Sequence, residues 1–170
     1  MPYTRPYASG FVDYPLTTTP INSTALNTID VGVKTVSDTV DGFTGAWTAY
    51  TPTLTNTTAP ITVARYAKIG KTVHFYVQLT LTGAQVSGLV GIALPPFAML
   101  STSAGNFDVK LIDAGVVYAG IGVAGTTARV DCYALNAAGT YAVVTATSST
   151  VPVTWATTDQ IIVSGTYESA

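Results

Sequence analysis

Charged side chains are scarce in this sequence. Asp, Glu, Lys and Arg make up 9% of the 170 residues, against roughly 25% in an average soluble protein. The formal net charge is −2 at pH 7, so the chain has no excess of positive charge that would attract nucleic acid or an anionic membrane. We therefore expect no nucleic-acid partner.

Cysteine and histidine occur only once each. The single Cys132 excludes an intrachain disulfide bond, so packing or assembly must stabilise the fold. Cys132 alternates with Val130 and Ala134, a pattern that predicts a small core residue. His74 falls in the middle of a predicted strand, where we expect a solvent-facing or interface position. Neither residue has neighbours at the spacing of a metal site or of an activated nucleophile.

The acidic residues also lack a catalytic pattern. In the β part they are Asp108, Asp113, Asp131, Asp159 and Glu168, and none belongs to a recognisable acid–base motif. Asp159 follows two threonines, which predicts a turn-capping side chain. The glycines between 115 and 125 lack the lysine and the following helix of a phosphate loop. We therefore expect a protein that is not an enzyme and that binds no metal ion or cofactor.

Long hydrophobic segments are missing as well, although the mean hydropathy is +0.39. A spanning helix needs roughly 18–20 apolar residues, and the most apolar stretch, 86–100, is interrupted by Gly and Pro. Residues 1–9 do not show the basic and then apolar pattern of a signal peptide. We expect no membrane insertion and no secretion signal, and we expect the apolar side chains to be buried between subunits.

A regular apolar seam is present near the start of the chain. Its residues follow one another at spacings of three, four, three and four: Leu26, Ile29, Val33, Val36 and Val40. This is the spacing of a coiled coil, and the mixture of Ile and Val is compatible with three strands, although Val also allows two. We predict a trimerising helix within residues 22–41, capped by Asn22 and running from Ser23 to Val40. The alternative is that the stripe packs on the chain's own β domain.

Residues 1–21, which precede the predicted helix, are rich in proline and aromatic residues. Four prolines alternate with four aromatic residues, Tyr3, Tyr7, Phe11 and Tyr14. Prolines suppress a regular helix, and aromatic rings are unusual in a freely solvated tail. We predict an extended arm that docks on another protein of the assembly.

Residues 42–46 form a glycine-containing linker, and 47–170 are typical of strands. In the clearest example, Val73, Phe75, Val77, Leu79 and Leu81 alternate with polar residues. Further predicted strands are Trp47–Thr55, Ile61–Ile69, Gly88–Leu94, Phe107–Ile112, Val116–Val123, Ala128–Leu135, Thr140–Thr147 and Gln160–Tyr167. Arg65, Lys68 and Lys71 surround one predicted turn and indicate a solvated hairpin end. We predict a mainly β fold, an antiparallel two-sheet sandwich of jelly-roll type.

An ordered series of motifs runs through the β part. The series is Trp47-Thr48-Ala49-Tyr50-Thr51-Pro52-Thr53, Ala64-Arg65-Tyr66, Ile69-Gly70-Lys71-Thr72-Val73-His74-Phe75, Leu94-Pro95, Trp155-Ala156-Thr157-Thr158-Asp159 and Val163-Ser164-Gly165-Thr166-Tyr167-Glu168. With the upstream Thr19-Pro20-Ile21-Asn22, it resembles the β-sandwich modules that end many tailed-bacteriophage fibre and virion-surface proteins. This resemblance, over residues 19–170, implies a trimer without catalytic residues at the virion surface.

Three functions follow from these observations. The first is a non-enzymatic virion trimer, a capsid decoration or short fibre, whose arm docks on capsid or tail proteins. The second is the receptor-binding tip of a tail fibre that holds host glycans through exposed Tyr, Asn and Thr. The third, a depolymerase, has no acid, base or metal constellation to support it. One short helix and one knob cannot reach far, which favours the first function.

Overall fold

The computed structural model describes residues 27–34, 47–137 and 142–170. The chain divides into two compact units, Met1–Gly45 and Ala46–Ala170. In the first unit, residues 27–34 are helical and form α1. They lie inside the predicted helix Ser23–Val40. The rest of that helix, the arm and the 42–46 linker lie outside the described residues.

The second unit consists of antiparallel strands. They are β1 (Thr48–Ala49), β2 (Leu54–Thr57), β3 (Ile61–Ile69), β4 (Thr72–Thr82), β5 (Val86–Ala93), β6 (Gly105–Asp113), β7 (Val116–Thr126), β8 (Arg129–Asn136), β9 (Val143–Ala146) and β10 (Thr157–Glu168). Every strand pair is antiparallel. The prediction of a mainly β, antiparallel fold is therefore confirmed.

All of these strands belong to one hydrogen-bonded sheet, which curls around a single core. Its order is β1-β3-β4-β10-β6-β7-β8-β5-β2, and β9 pairs with β8 beside this path. Strands far apart in that order, such as β4 and β5, contribute side chains to the same buried cluster. A flat sheet could not bring them together, so the sheet must fold back on itself. The two-sheet jelly-roll arrangement stays a prediction.

The alternation in β4 shows which face of the sheet points to the core. All five apolar residues predicted to share a face are buried: Val73, Phe75, Val77, Leu79 and Leu81. The alternate residues, from His74 to Thr82, are partly or fully exposed. Because successive side chains of a strand point to opposite faces, this single pattern gives β4 an apolar inner face and a polar outer face.

The predicted strand Trp47–Thr55 is wrong, because the chain there forms two short strands with an irregular link. Pro52 lies in the link and cannot donate a hydrogen bond to a strand ladder. The link also joins the two ends of the curled sheet. The Tyr50 backbone N–H donates to Ala64 O of β3 at 3.1 Å, and its hydroxyl donates to Ala93 O of β5 at 3.4 Å.

Two tight turns connect neighbouring strands of the sheet. Gly70, between β3 and β4, has a φ of 59°, as expected for the turn predicted at Ile69-Gly70-Lys71. Between β6 and β7, Ala114 and Gly115 both have positive φ, at 46° and 88°. This is the backbone twist that two-residue hairpins favour, and it pairs the first part of β7, from Val116 to Gly122, with β6.

Candidate functional site

An apolar surface covers the outward side of β7, β8 and β9. We call it the apolar outer face, and its large side chains, between 40% and 60% exposed, are Val117, Ile121, Val123, Leu135 and Val144. In the strand register Ile121 lies opposite Tyr133, and Leu135 lies opposite Val144. Because three adjacent strands contribute, these side chains form one surface and are not scattered singly.

Glycines on the inward side of β7 explain why its large side chains point outward. A Cβ atom at Gly120 would meet the backbone of Tyr133, and one at Gly122 would meet the side chains of Phe107 and Val130. The strand therefore approaches the core so closely that only glycine fits at these inward positions. The Val and Ile residues that alternate with them are left on the outer side.

Charged groups border this face and do not enter its centre. On one side, β6 carries Asp108 and Lys110 on exposed positions next to β7. At the start of β8, Asp131 lies opposite Val123 in the strand register. Arg129 Nε lies 2.7 Å from Asp131 Oδ1, and Arg129 Nη2 donates to Asp131 Oδ2 at 3.1 Å. Within the described ranges, β9 pairs only with β8. An open strand edge beside an uncharged apolar surface favours association.

The predicted trimer seam is described only in part. Ile29 and Val33 lie in α1 and are 58% and 47% exposed. Residues four apart lie on the same side of a helix, so these two side chains share one exposed stripe. The other seam residues and the aromatic residues of the arm lie outside the described residues, and their roles stay predictions: Leu26, Val36, Val40, Tyr3, Tyr7, Phe11 and Tyr14.

A second surface, which we call the polar outer face, lies on the outward side of β3, β4, β10 and β6. At its β3 end, the Arg65 guanidinium carbon is 4.9 Å from the centre of the Trp47 ring and 5.5 Å from that of Tyr76. The Tyr76 hydroxyl donates to Gln78 Oε1, and Gln78 Nε2 donates to Gln160 Oε1, both at 3.1 Å. The face therefore combines stacked rings, a cation and a row of amide groups.

The basic residues beside the β3–β4 turn are more ordered than the expected solvated hairpin end. Arg65 stacks on the two rings just described. Lys68 Nζ lies 4.3 Å from the centre of the Phe97 ring. Both contacts are within the range of a cation–π interaction. Arg65 and Lys71 are exposed, as the sequence indicates, and Lys68 is partly buried.

Three residues that the sequence singled out have structural roles: Cys132, Asp159 and His74. Cys132 is fully buried in the core, as predicted, and burial followed by the charge of Asp131 raises the pKa of its thiol to about 12. Asp159 is buried, and its Oδ2 accepts the Ala156 N–H at 2.7 Å, which confirms the capping role. His74 Nδ1 lies 3.0 Å from Thr166 Oγ1. This hydrogen bond joins β4 to β10 on the polar outer face.

In the described parts of the chain, no three His, Cys, Asp or Glu residues lie together as metal ligands would. The same parts of the chain include no helix with the length and apolar character needed to cross a membrane. Neither result identifies a function.

The sequence predicts the polar side of β4, but it does not predict either outer face as a whole. Period-two alternation is visible in β7, but it does not say which of the two sets of side chains points inward. The stacking of Arg65 depends on rings from β4 and from the residue before β1, which the sheet brings together. No known protein family, characterised protein or solved structure shows significant similarity to this chain.

Proposed function

We propose that this chain is a non-enzymatic structural protein that works as a homotrimer, with the apolar outer face covered by neighbouring copies. The observation that carries the proposal is the exposure of Val117, Ile121, Val123, Leu135 and Val144 on adjacent strands. A monomer that left such a surface in water would tend to aggregate. Another copy is a suitable partner for two reasons. The five apolar side chains need no complementary charge, and every copy carries the same exposed surface.

The helical seam supports three copies. The exposed stripe of Ile29 and Val33 belongs to a spacing that is compatible with a three-stranded coiled coil. Such a short seam is marginal as an isolated coiled coil. The proposed trimer therefore combines two weak contacts, one between helices and one between β units.

We further propose that the trimer is a surface knob of a bacteriophage virion, a capsid decoration or short fibre. The support is the resemblance over residues 19–170 described above, together with the antiparallel curled sheet. In this proposal the β units form jelly-roll-like sandwiches. The arm at 1–21 holds the knob on capsid or tail proteins.

The first test is the mass in solution. We expect light scattering to give three times the 17.6 kDa of one chain at micromolar concentration. A mass equal to one chain under these conditions would refute the homotrimer.

The second test separates attachment from assembly. Each aromatic ring that the arm buries on a partner can contribute about 1.5–3 kcal/mol, and three arms on one trimer would bind with avidity. Deleting residues 1–20 should leave a folded trimer that no longer labels particles in immunogold microscopy, whereas the full chain does. Truncated protein that decorates particles at the occupancy of the full chain would show that the knob or the helix makes the attachment.

A further inference from the structure

The Arg65 guanidinium is positioned by the two aromatic rings that flank it. Trp47 and Tyr76 lie at 4.9 and 5.5 Å from it, while Arg65 itself stays exposed. Stacking on rings restricts a long side chain that would otherwise sample many rotamers. The guanidinium is therefore held ready to bind and would lose less conformational entropy than a free surface arginine.

No acidic side chain of the described residues forms an ion pair with Arg65. The nearest acidic residue in its row across the sheet is on β6. In the register Arg65 lies opposite Tyr76, which lies opposite Ser164, which lies opposite Asp108. A guanidinium has five N–H donors in a planar fork that fits a carboxylate. These donors face solvent and are available to a ligand.

Hydroxyl and amide groups continue from this cation across the sheet. The Tyr76 hydroxyl, Gln78 and Gln160 form a hydrogen-bonded row, and Thr166 and His74 form a second pair beside it. Such groups both donate and accept hydrogen bonds. Trp47, 47% exposed, adds an apolar ring surface at the edge of the same face.

We propose that the polar outer face binds a sugar that carries a carboxylate. The carboxylate would bind the Arg65 guanidinium, the hydroxyls would bind the row formed by Tyr76, Gln78 and Gln160, and the C–H groups of the sugar would contact Trp47. A sugar fits because it carries all three kinds of group close together. This site goes beyond the structural role proposed above, and it does not depend on the number of subunits.

Tryptophan fluorescence gives a direct binding assay. The chain has two Trp residues. Trp155 is 2% exposed, so a ligand on the surface should change only the emission of Trp47. As the probe we choose tri-galacturonic acid, with its methyl ester as the uncharged counterpart. We expect saturable binding of the acid to the full chain, and binding at least about tenfold weaker for the ester, because a charge-assisted hydrogen bond is lost.

Three variants test the assignment of the residues. Arg65→Gln should weaken binding of the acid at least about tenfold. Trp47→Phe should abolish the fluorescence change and retain measurable binding by calorimetry. Lys71→Gln removes the same charge from the exposed β3–β4 turn and should bind as the unmodified chain does. Thermal unfolding of each variant checks that the β unit is intact.

Several results would overturn the proposal. These are no saturable binding of the acid, an equal affinity for acid and ester, or an unchanged affinity in a folded Arg65→Gln variant. Acetate or a glutamate-containing peptide that bound as tightly as the acid would show a general carboxylate site, and would overturn the assignment to a sugar. None of these results bears on the solution mass, so the homotrimer would stand or fall separately.

Discussion

Replacing Ile121 by Asp tests the apolar outer face directly. Fully burying an aliphatic side chain contributes about 1.5–3 kcal/mol. The five large side chains of the face are between 40% and 60% exposed. Covering them should therefore contribute roughly 1 kcal/mol each, or about 5 kcal/mol for the face. The cost of association is at least about 4 kcal/mol, so the face alone is barely sufficient and the helical seam must add to it.

This near-balance makes the trimer sensitive to one substitution. Ile121→Asp removes about 1 kcal/mol of apolar contact and places a carboxylate where each contact must exclude water, which costs further free energy. We expect light scattering at micromolar concentration to show monomers for this variant and trimers for the unmodified chain. Ile121 is already 41% exposed, but Asp108 lies opposite it in the strand register, so like-charge repulsion should also lower the melting temperature of the β unit slightly.

Ile69→Asp is the matched control. Ile69 is 36% exposed and lies at the end of β3, away from the apolar outer face. It undergoes the same chemical change and should leave the mass of the assembly unchanged. If Ile121→Asp kept the subunit number of the unmodified chain at every concentration, the apolar outer face would not be the contact between copies. If both variants dissociated alike, the effect would come from added charge in general.

Three further predictions follow from particular residues. Replacing Val33 and Val36 by Asp should weaken assembly, because like charges would meet at the shared axis; a lower melting temperature with an unchanged subunit number would instead place the stripe on the chain's own β domain. A thiol reagent at pH 8 should label Cys132 only after unfolding, because burial raises the pKa of this thiol to about 12; rapid labelling of the native protein would contradict this. Burial, followed by the nearby Tyr66, raises the pKa of Tyr167 above its usual value of 10.0, so the free energy of unfolding should be fully maintained below about pH 10 and fall above it, as the unfolded phenol ionises first. In chemical denaturation, Tyr167→Phe should lose the hydrogen bond to Phe97 O, about 1 kcal/mol, and show a shallower alkaline decline; an equal decline would exclude Tyr167 as a cause.

Much of the sheet could be predicted from local patterns. The predicted strand Ile61–Ile69 matches β3, and β4 has its predicted face buried. In β4, polar and apolar side chains alternate strictly, so the sequence pattern agrees with the burial of each side chain. The segment Trp47–Thr55 failed because its course depends on Tyr50 bonding to two strands that are distant in sequence. A local pattern carries no information on such contacts.

The candidate site could not be predicted, and β7 shows why. Its alternation alone does not decide whether the Val and Ile residues or the glycines point inward. In the structure the glycines point inward, because Phe107 and Val130 leave no room for a Cβ at Gly122. The inner side of β7 is therefore bare backbone at Gly120 and Gly122, and the Val and Ile side chains on its outer side remain exposed to water. Covering the outer side of such a strand buries its large apolar side chains. This is the physical reason for proposing that another copy of the chain packs against it.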